Sequence, residues 1–279
     1  MTFALAIKVN DGLVLAADSA TTLQVSEDAS QVIVYNNANK IVNLHRDIPI
    51  SLMTWGLGNI GPDSIATISK DLRLRFQGDN PDFIDWKLDP NNFKVLEVAE
   101  KVAAYFHQEL EEAVKNGQTV SSLGLFIGGY SPKEKLVDAY EIVTNGIEMS
   151  GPNPIFPDQV GLSWWGQPEA ISRLVLGFSS KIEWALQNLG VSPEATPAYV
   201  EALKQQVATP LVFAPMPIQD AIDLAEFLVD TSIKFTKFNL GHNTVGGPIE
   251  IAAVTRHEGY KWIARKHYYN RDINPSGIV

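Results

Sequence analysis

The spacing of apolar residues divides the chain into short strands and paired helices. Alternating apolar residues over 3–9 predict a strand, and the apolar run at 13–17 predicts another. Between them, residues 10–12 read Asn-Asp-Gly, a strong tight-turn signal, so the two strands form a hairpin that ends at Asp18. Further strands are predicted over 32–35, 41–44, 50–55, 123–127, 136–143, 160–165, 249–255 and 260–264.

Helical periodicity appears in two separate stretches. The predicted helices cover 62–76 with Pro62 in the first turn, 95–113 ended by Gly117, 171–189 ended by Gly190, and 218–233. The order is strands, two helices, strands, two helices, strands. It lacks the strict strand–helix alternation of a parallel doubly wound sheet. Two mostly antiparallel sheets covered by helix pairs fit this order.

Composition and charge narrow the possible functions. The chain is 45% hydrophobic and 19% charged, with a net charge of -10, which argues against nucleic acid as a partner. It has no cysteine, and its five histidines show no metal-ligand spacing, so we expect no metal and no cofactor. No apolar run reaches the roughly 20 residues of a membrane span. No targeting segment is evident, and we expect a cytoplasmic protein.

Thr2 is the first candidate for catalysis. Threonine is small enough for Met1 to be removed, which would leave Thr2 with a free α-amine. Such a residue carries a hydroxyl nucleophile and, with an amine pKa of ~7.7–8.0, its own base. The hairpin brings Asp18 near residues 2–4, and Lys40 begins a later strand. A buried Asp18–Lys40 ion pair there would hold the lysine ammonium near the amine. The positive charge of the ammonium would lower the pKa of the amine and favour the neutral base.

Several segments resemble the proteasome β subunits and their bacterial relatives. The family's opening strand, DG turn and return strand are similar to TFALAIKVNDGLVLAADSATT, and its catalytic-lysine motif is similar to NANKIVNL. Its strand–glycine–helix junction resembles TWGLGNIGPDSIATI. Its central hairpin and last two strands resemble LGLFIGGYSPKEKLVDAYEIVTNG and VGGPIEIAAVTRHEGYKWI. The resemblance implies an α+β fold, the four-layer αββα sandwich of N-terminal nucleophile (Ntn) hydrolases. It also implies one domain over 1–279, with insertions near 78–92 and 191–217.

The resemblance also implies roles for individual residues. Thr2 would be the nucleophile and base of a threonine endopeptidase or amide hydrolase, with Asp18 and Lys40 orienting and tuning it. A backbone N–H of Gly56 or Gly58 would form the oxyanion hole, and the two positions stay open. The residues implied to line the substrate pocket are Thr21, Ala38 and Val42. Their small or apolar character favours an apolar substrate residue.

Other positions depart from the family pattern. The family usually has a serine where Gln167 follows Gly166, and an Asp-x-x-Ser pair where this chain has His242 and Val245. These departures fit an alternative, a non-catalytic structural subunit of a proteasome-like ring. A hydrolase of small amides, rather than of peptides, is a further alternative. The family's rings imply a homo-oligomer, and any ATPase or unfoldase partner is unknown.

The segment 56–61 raises a different alternative. It reads GLGNIG, which matches the G-x-G-x-x-G fingerprint of dinucleotide binding between a strand and a helix. That fingerprint also requires a second strand, ending in an acidic residue, after the helix. The residues that follow the predicted helix, FQGDNPDFIDW, have the character of a loop. NAD or flavin binding is therefore the less favoured reading.

Overall fold

The chain forms a mixed α+β structure, and the computed structural model describes residues 2–24, 32–239 and 244–270. The strands are β1 (Phe3–Val9), β2 (Gly12–Ala17), β3 (Thr21–Gln24), β4 (Val32–Tyr35), β5 (Ile41–Asn43), β6 (Ile50–Gly56), β7 (Asn59–Ile60), β8 (Asp63–Ser64), β9 (Leu123–Gly129), β10 (Asp138–Asn145), β11 (Glu148–Pro154), β12 (Gly161–Gly166), β13 (Glu250–Thr255) and β14 (Gly259–Ala264). The helices are α1 (Ile65–Gln77), α2 (Val95–Lys115), α3 (Glu169–Ile171), α4 (Ile182–Asn188), α5 (Thr196–Val207) and α6 (Ile218–Lys237). A 3₁₀ segment at Pro81–Trp86 and a π-helical turn at Ser172–Leu176 complete these elements.

Two five-stranded antiparallel sheets contain most of the strands. The first sheet has the order β12-β1-β2-β13-β14, and the second has the order β11-β10-β9-β6-β5. Within the first, the predicted hairpin is confirmed, with register running from Ala4 opposite Ala17 to Val9 opposite Gly12. Small two-stranded sheets are formed by β3 with β4 and by β7 with β8.

Three hydrophobic clusters of described residues lie against these sheets. One joins the second sheet to α1 and α2 through residues such as Leu52, Leu72 and Phe106. Another joins the first sheet to α3 and α6, and a third contains inward-facing residues of both sheets, such as Leu15 and Phe126. Each sheet therefore contributes buried residues to two of these clusters.

This double burial explains the sequence of the first hairpin. In β1, Phe3 and Leu5 belong to the helix-side cluster, whereas Ala4 and Ala6 belong to the cluster between the sheets. All seven residues of β1 are buried, Lys8 included. The alternation along the strand is therefore mainly between large and small residues, as a strand buried on both faces requires.

Two of the predicted helices, over 62–76 and 171–189, have different bounds in the structure. Pro62 lies in the turn between β7 and β8, and α1 begins later, with Ser64 as the N-cap whose side chain accepts a bond from the Thr67 amide. The predicted helix over 171–189 is wrong as a single helix. It breaks at Gly177, which has a φ of 80° that continues no helix, and α4 starts only at Ile182.

The remaining differences lie in loops and edge strands. The sequence predicted no strand at 148–154 or 21–24, where β11 and β3 form. The loop predicted after α1 contains the short 3₁₀ segment, and the long connection at 191–217 contains one helix, α5, as expected. Among the described residues, no helix combines the length and apolar character that a membrane crossing requires.

Candidate active site

The backbone around Thr2 is held from two sides. Thr2 is buried, and its carbonyl oxygen accepts a hydrogen bond from the Gln167 amide at 2.9 Å. The Phe3 amide donates to Asp18 Oδ1 at 2.9 Å. Gly166 has a φ of 87°, and a Cβ built there would lie 1.7 Å from the Thr2 carbonyl oxygen. A glycine is therefore needed for β12 to approach the start of β1.

Asp18 is fully buried directly after β2, and four donors from the described residues surround its carboxylate. Oδ1 accepts from the Phe3 amide and from Lys40 Nζ, the latter at 2.5 Å. Oδ2 accepts from the amides of Ala20 at 3.1 Å and Gly246 at 2.8 Å. One carboxylate oxygen thus connects the start of β1 to the lysine ammonium.

Lys40 is held by its backbone as well as by its side chain. Its carbonyl oxygen accepts from the Thr54 amide of β6, and its amide donates to Glu250 Oε2 of β13, both at 2.9 Å. Burial lowers the pKa of the Lys40 ammonium, and the adjacent Asp18 carboxylate opposes this effect. Neither sheet alone could place this lysine, since its backbone bonds reach a strand of each.

The predicted site residues meet around a single cavity, with two exceptions. The cavity has a volume of about 390 Å³. The described residues that line it are Thr2, Thr21, Tyr35, Asn36, Asn37, Ala38, Asn39, Lys40, Thr54, Trp55, Gly56, Leu57, Gly58, Ser64, Ile65, Ala66 and Lys70. Asp18 lies beneath Lys40, outside the lining. Val42 is buried in β5 opposite Leu52 and is not among the lining residues.

The lining is more polar than sequence analysis anticipated. It includes three asparagines, Asn36, Asn37 and Asn39, and the exposed side chain of Lys70 on α1. The sequence contained a signal for the asparagines, because NNAN precedes Lys40 in the family-like segment. It contained none for Lys70, which reaches the cavity only because α1 begins at its rim, where Ser64, Ile65 and Ala66 also line it.

The departures from the family pattern occupy different places. Val245 is fully buried among apolar residues that pack beside α6, so its side chain belongs to the core. Gln167 contributes its amide to the Thr2 carbonyl. His242 lies outside the described residues. In place of a side chain, the backbone amide of Gly246 supports Asp18 from this region.

The setting required for dinucleotide binding is absent from the described residues around GLGNIG. β6 leads through β7, β8 and α1 to α2, and the next strand along the chain, β9, pairs with β6 in antiparallel orientation. A dinucleotide fingerprint needs a parallel strand–helix–strand unit instead. The glycines here serve the turn at the edge of the cavity.

Comparisons with known proteins give a likeness to solved structures only. No protein-family model and no curated protein matches this sequence. Among solved structures, the chain is similar to Anbu (ancestral beta-subunit) from Yersinia bercovieri, at 16% identity and a TM-score of 0.47. The match covers 96% of this chain and 89% of that chain.

Proposed function

We propose that this protein is a threonine-dependent amide hydrolase of the Ntn type, acting on peptides or small amides. The observation that carries the proposal is that Asp18 Oδ1 bonds both the Phe3 amide and Lys40 Nζ, next to a cavity lined by Thr2. A buried charge pair is costly to place in a protein interior, and groups whose pKa is shifted by burial beside a charge partner, as that of Lys40 is, are concentrated at functional sites. Here the pair adjoins the residue that can act as nucleophile.

The reaction needs removal of Met1 and then proceeds in two steps. The Thr2 hydroxyl oxygen attacks the substrate carbonyl carbon while the Thr2 amine takes the hydroxyl proton. The tetrahedral intermediate breaks its C–N bond, the leaving amine receives that proton, and an ester to Thr2 remains. The same amine then takes a proton from water, whose oxygen adds to the ester carbonyl carbon. The C–O bond to Thr2 breaks, the acid leaves, and the proton returns from the amine to the Thr2 oxygen to restore the hydroxyl. The Lys40 ammonium lowers the pKa of the Thr2 amine and so keeps it available as base.

Gly56 is the better candidate for the oxyanion hole. The Thr54 amide points from β6 towards Lys40, and alternate residues of a strand direct their N–H groups to the same side. The Gly56 N–H therefore points to the side of β6 on which Lys40 lies, just beyond the end of β5. A donor aimed at the developing oxyanion contributes ~2.7–4 kcal/mol to catalysis.

The proposal includes the four-layer αββα sandwich as the frame of the site. The three hydrophobic clusters support it, because one contains residues of both sheets and the other two join each sheet to its helices. Assembly into a homo-oligomeric ring stays a prediction from the family resemblance.

The experiment is intact mass of the native protein before and after reaction with a peptidyl epoxyketone, which bonds to a hydroxyl and an adjacent amine. We expect a chain shorter by Met1, with one adduct at Thr2. Thr2→Ala should give no adduct, and Thr236→Ala, a matched change on α6, should label like the wild type. A folded protein that keeps Met1 and forms no adduct would overturn the proposal.

A non-catalytic structural subunit is the second candidate function. Two observations favour it, namely the apolar, buried Val245 and the glutamine at 167, where the family has serines. Retention of Met1 in a correctly folded, assembled protein would support this candidate. The same intact-mass experiment therefore separates the two functions.

A further inference from the structure

A second ion pair, with a buried glutamate and a largely buried lysine, lies beside the first. Glu250, the first residue of β13, is 1% exposed, and Lys266 follows the end of β14 with a side chain 14% exposed. Glu250 Oε1 and Lys266 Nζ are 3.2 Å apart. Glutamate and lysine are almost never buried without a partner, and a buried pair is weak evidence for a gain in stability. The contacts that the pair makes point to a different use.

These contacts hold the loop that forms one wall of the cavity. Glu250 Oε2 accepts from the Lys40 amide at 2.9 Å. Lys266 Nζ donates to the Ala38 carbonyl oxygen at 2.5 Å and to Ser19 Oγ at 2.6 Å. The Ala38 amide in turn donates to the Ser19 carbonyl oxygen at 2.9 Å. Residues 38–40 are thus fixed at both ends by the second pair.

The two pairs also act on each other electrostatically. Burial lowers the pKa of the Lys266 ammonium, while Glu250 and then Asp18 raise it. Burial lowers the pKa of the Lys40 ammonium and Asp18 raises it. Smaller effects come from the charge of Lys266, which lowers this pKa, and from the charge of Glu250, which raises it. The members of the second pair therefore bias the protonation of the first in opposite directions.

We propose that Glu250 and Lys266 are a positioning pair for the Thr2 site, which holds the 38–40 wall and balances the charge around Lys40 and the Thr2 amine. This inference rests on the proposed function. It makes the segment after β14 a part of the site, although it lies far from Thr2 along the chain. Neither residue needs to touch substrate, because both act through Ala38 and Lys40.

The test uses the full chain and the epoxyketone probe, with labelling rate followed against pH. Lys266→Met, Glu250→Gln and the double variant are compared, with Lys261→Met, an exposed lysine on β14, as the matched control. We expect Lys266→Met to slow labelling roughly 10- to 100-fold, because a small displacement of a site can cost that much. Lys266→Arg should recover part of the rate, and the control should match the wild type.

The pH profile separates positioning from a merely structural role. Among the described residues, the charged groups that line the cavity are Lys40 and Lys70. Asp18 pairs with Lys40, Glu250 accepts from the Lys40 amide, and Lys266 pairs with Glu250. Lys266→Met removes a positive charge, so the acid limb of the profile should move to higher pH, by about 0.5 unit. Glu250→Gln removes a negative charge and should move it to lower pH. The double variant should return close to the wild-type midpoint.

A second readout remains valid if no labelling occurs. Amide hydrogen exchange over 36–40 should be faster in Lys266→Met and unchanged in Lys261→Met. If the wild type is labelled, the positioning role is overturned when the midpoints of the acid limb in Lys266→Met and Glu250→Gln move in the same direction or do not move. If the wild type is not labelled but amide hydrogen exchange is faster in Lys266→Met, the proposed function is refuted. The result would still support the role of Lys266 in fixing residues 38–40. If the single variants do not fold, the double variant replaces them, because it leaves neither charge buried without its partner. Wild-type rates of exchange and labelling in the double variant would overturn the inference.

Discussion

Gly166 and Thr2 are in closer contact than any side chain at position 166 would permit. The Thr2 carbonyl oxygen lies 1.7 Å from where a Cβ of residue 166 would stand, and Gly166 also has a φ of 87°. The close approach excludes other residues and the positive φ disfavours them, and together they fix the start of β1 against β12. The position of the candidate nucleophile therefore depends on a residue that takes no part in the chemistry.

Gly166→Ala should both destabilise the protein and displace Thr2. Gly190 is a matched control, because it has a φ of 93° with nothing within 4 Å of an added Cβ. Strain alone predicts a loss of about 1–2 kcal/mol for Gly190→Ala. We expect more than about 3 kcal/mol for Gly166→Ala, where a clash with backbone is added. Urea unfolding measures both, and equal losses would contradict the close approach.

The Asp18–Lys40 pair should be far more sensitive to substitution than a surface pair. Asp18→Asn or Lys40→Met leaves one buried charge without its partner, and such changes cost about 3–5 kcal/mol. Lys234→Met breaks the exposed pair with Asp230 and should cost ~0–1 kcal/mol. Denaturant midpoints test the difference. Similar small losses in all three variants would show that the buried pair does not exist.

Glu169 should stabilise the protein at neutral pH and lose this effect as the solution becomes strongly acidic. Burial favours its neutral form, but hydrogen bonds from Ser180, Ser179 and Arg173 outweigh this and lower the pKa of Glu169 to about 2. A carboxyl whose folded-state pKa lies below its unfolded value contributes stability above the unfolded value, and loses it as pH falls through the folded one. The stability difference between wild type and Glu169→Gln should therefore be full above pH 4.5 and vanish near pH 2. Thermal unfolding from pH 7 to 2 tests this, and a constant difference would refute it.

Lys70 should influence which substrates the cavity accepts. Among the described lining residues the charged ones are Lys40, which Asp18 neutralises, and the exposed Lys70. We therefore expect probes with an acidic side chain to label faster than basic ones, in contrast to the apolar preference that Thr21, Ala38 and Val42 predicted. Lys70→Glu should shift the acidic-to-basic ratio by about two- to fivefold, since exposed pairs are worth up to ~1 kcal/mol. An unchanged ratio would remove Lys70 from the specificity of the site.

The sequence alone predicted the parts of this protein that depend on near neighbours. The turn at 10–12 and the apolar alternation predicted the β1–β2 hairpin, and hairpin register then brought Asp18 to the start of β1. The periodicity of α2 and α6 is strong, because each presents one apolar face to a sheet. The family-like segments also singled out Lys40, whose bond to Asp18 spans only 22 residues.

Tertiary structure decided everything that depends on how the two sheets meet. Glu250 bonds the amide of Lys40 from 210 residues away, and Lys266 reaches Ala38 across 228. No local pattern specifies such contacts, although a glutamate at the head of an otherwise apolar strand was a signal that a buried partner existed. Lys70 lines the cavity and Val42 does not, and no local pattern specified either outcome. Periodicity predicts which residues share a face, but only the packing of one sheet against the other determines which residues that face contacts.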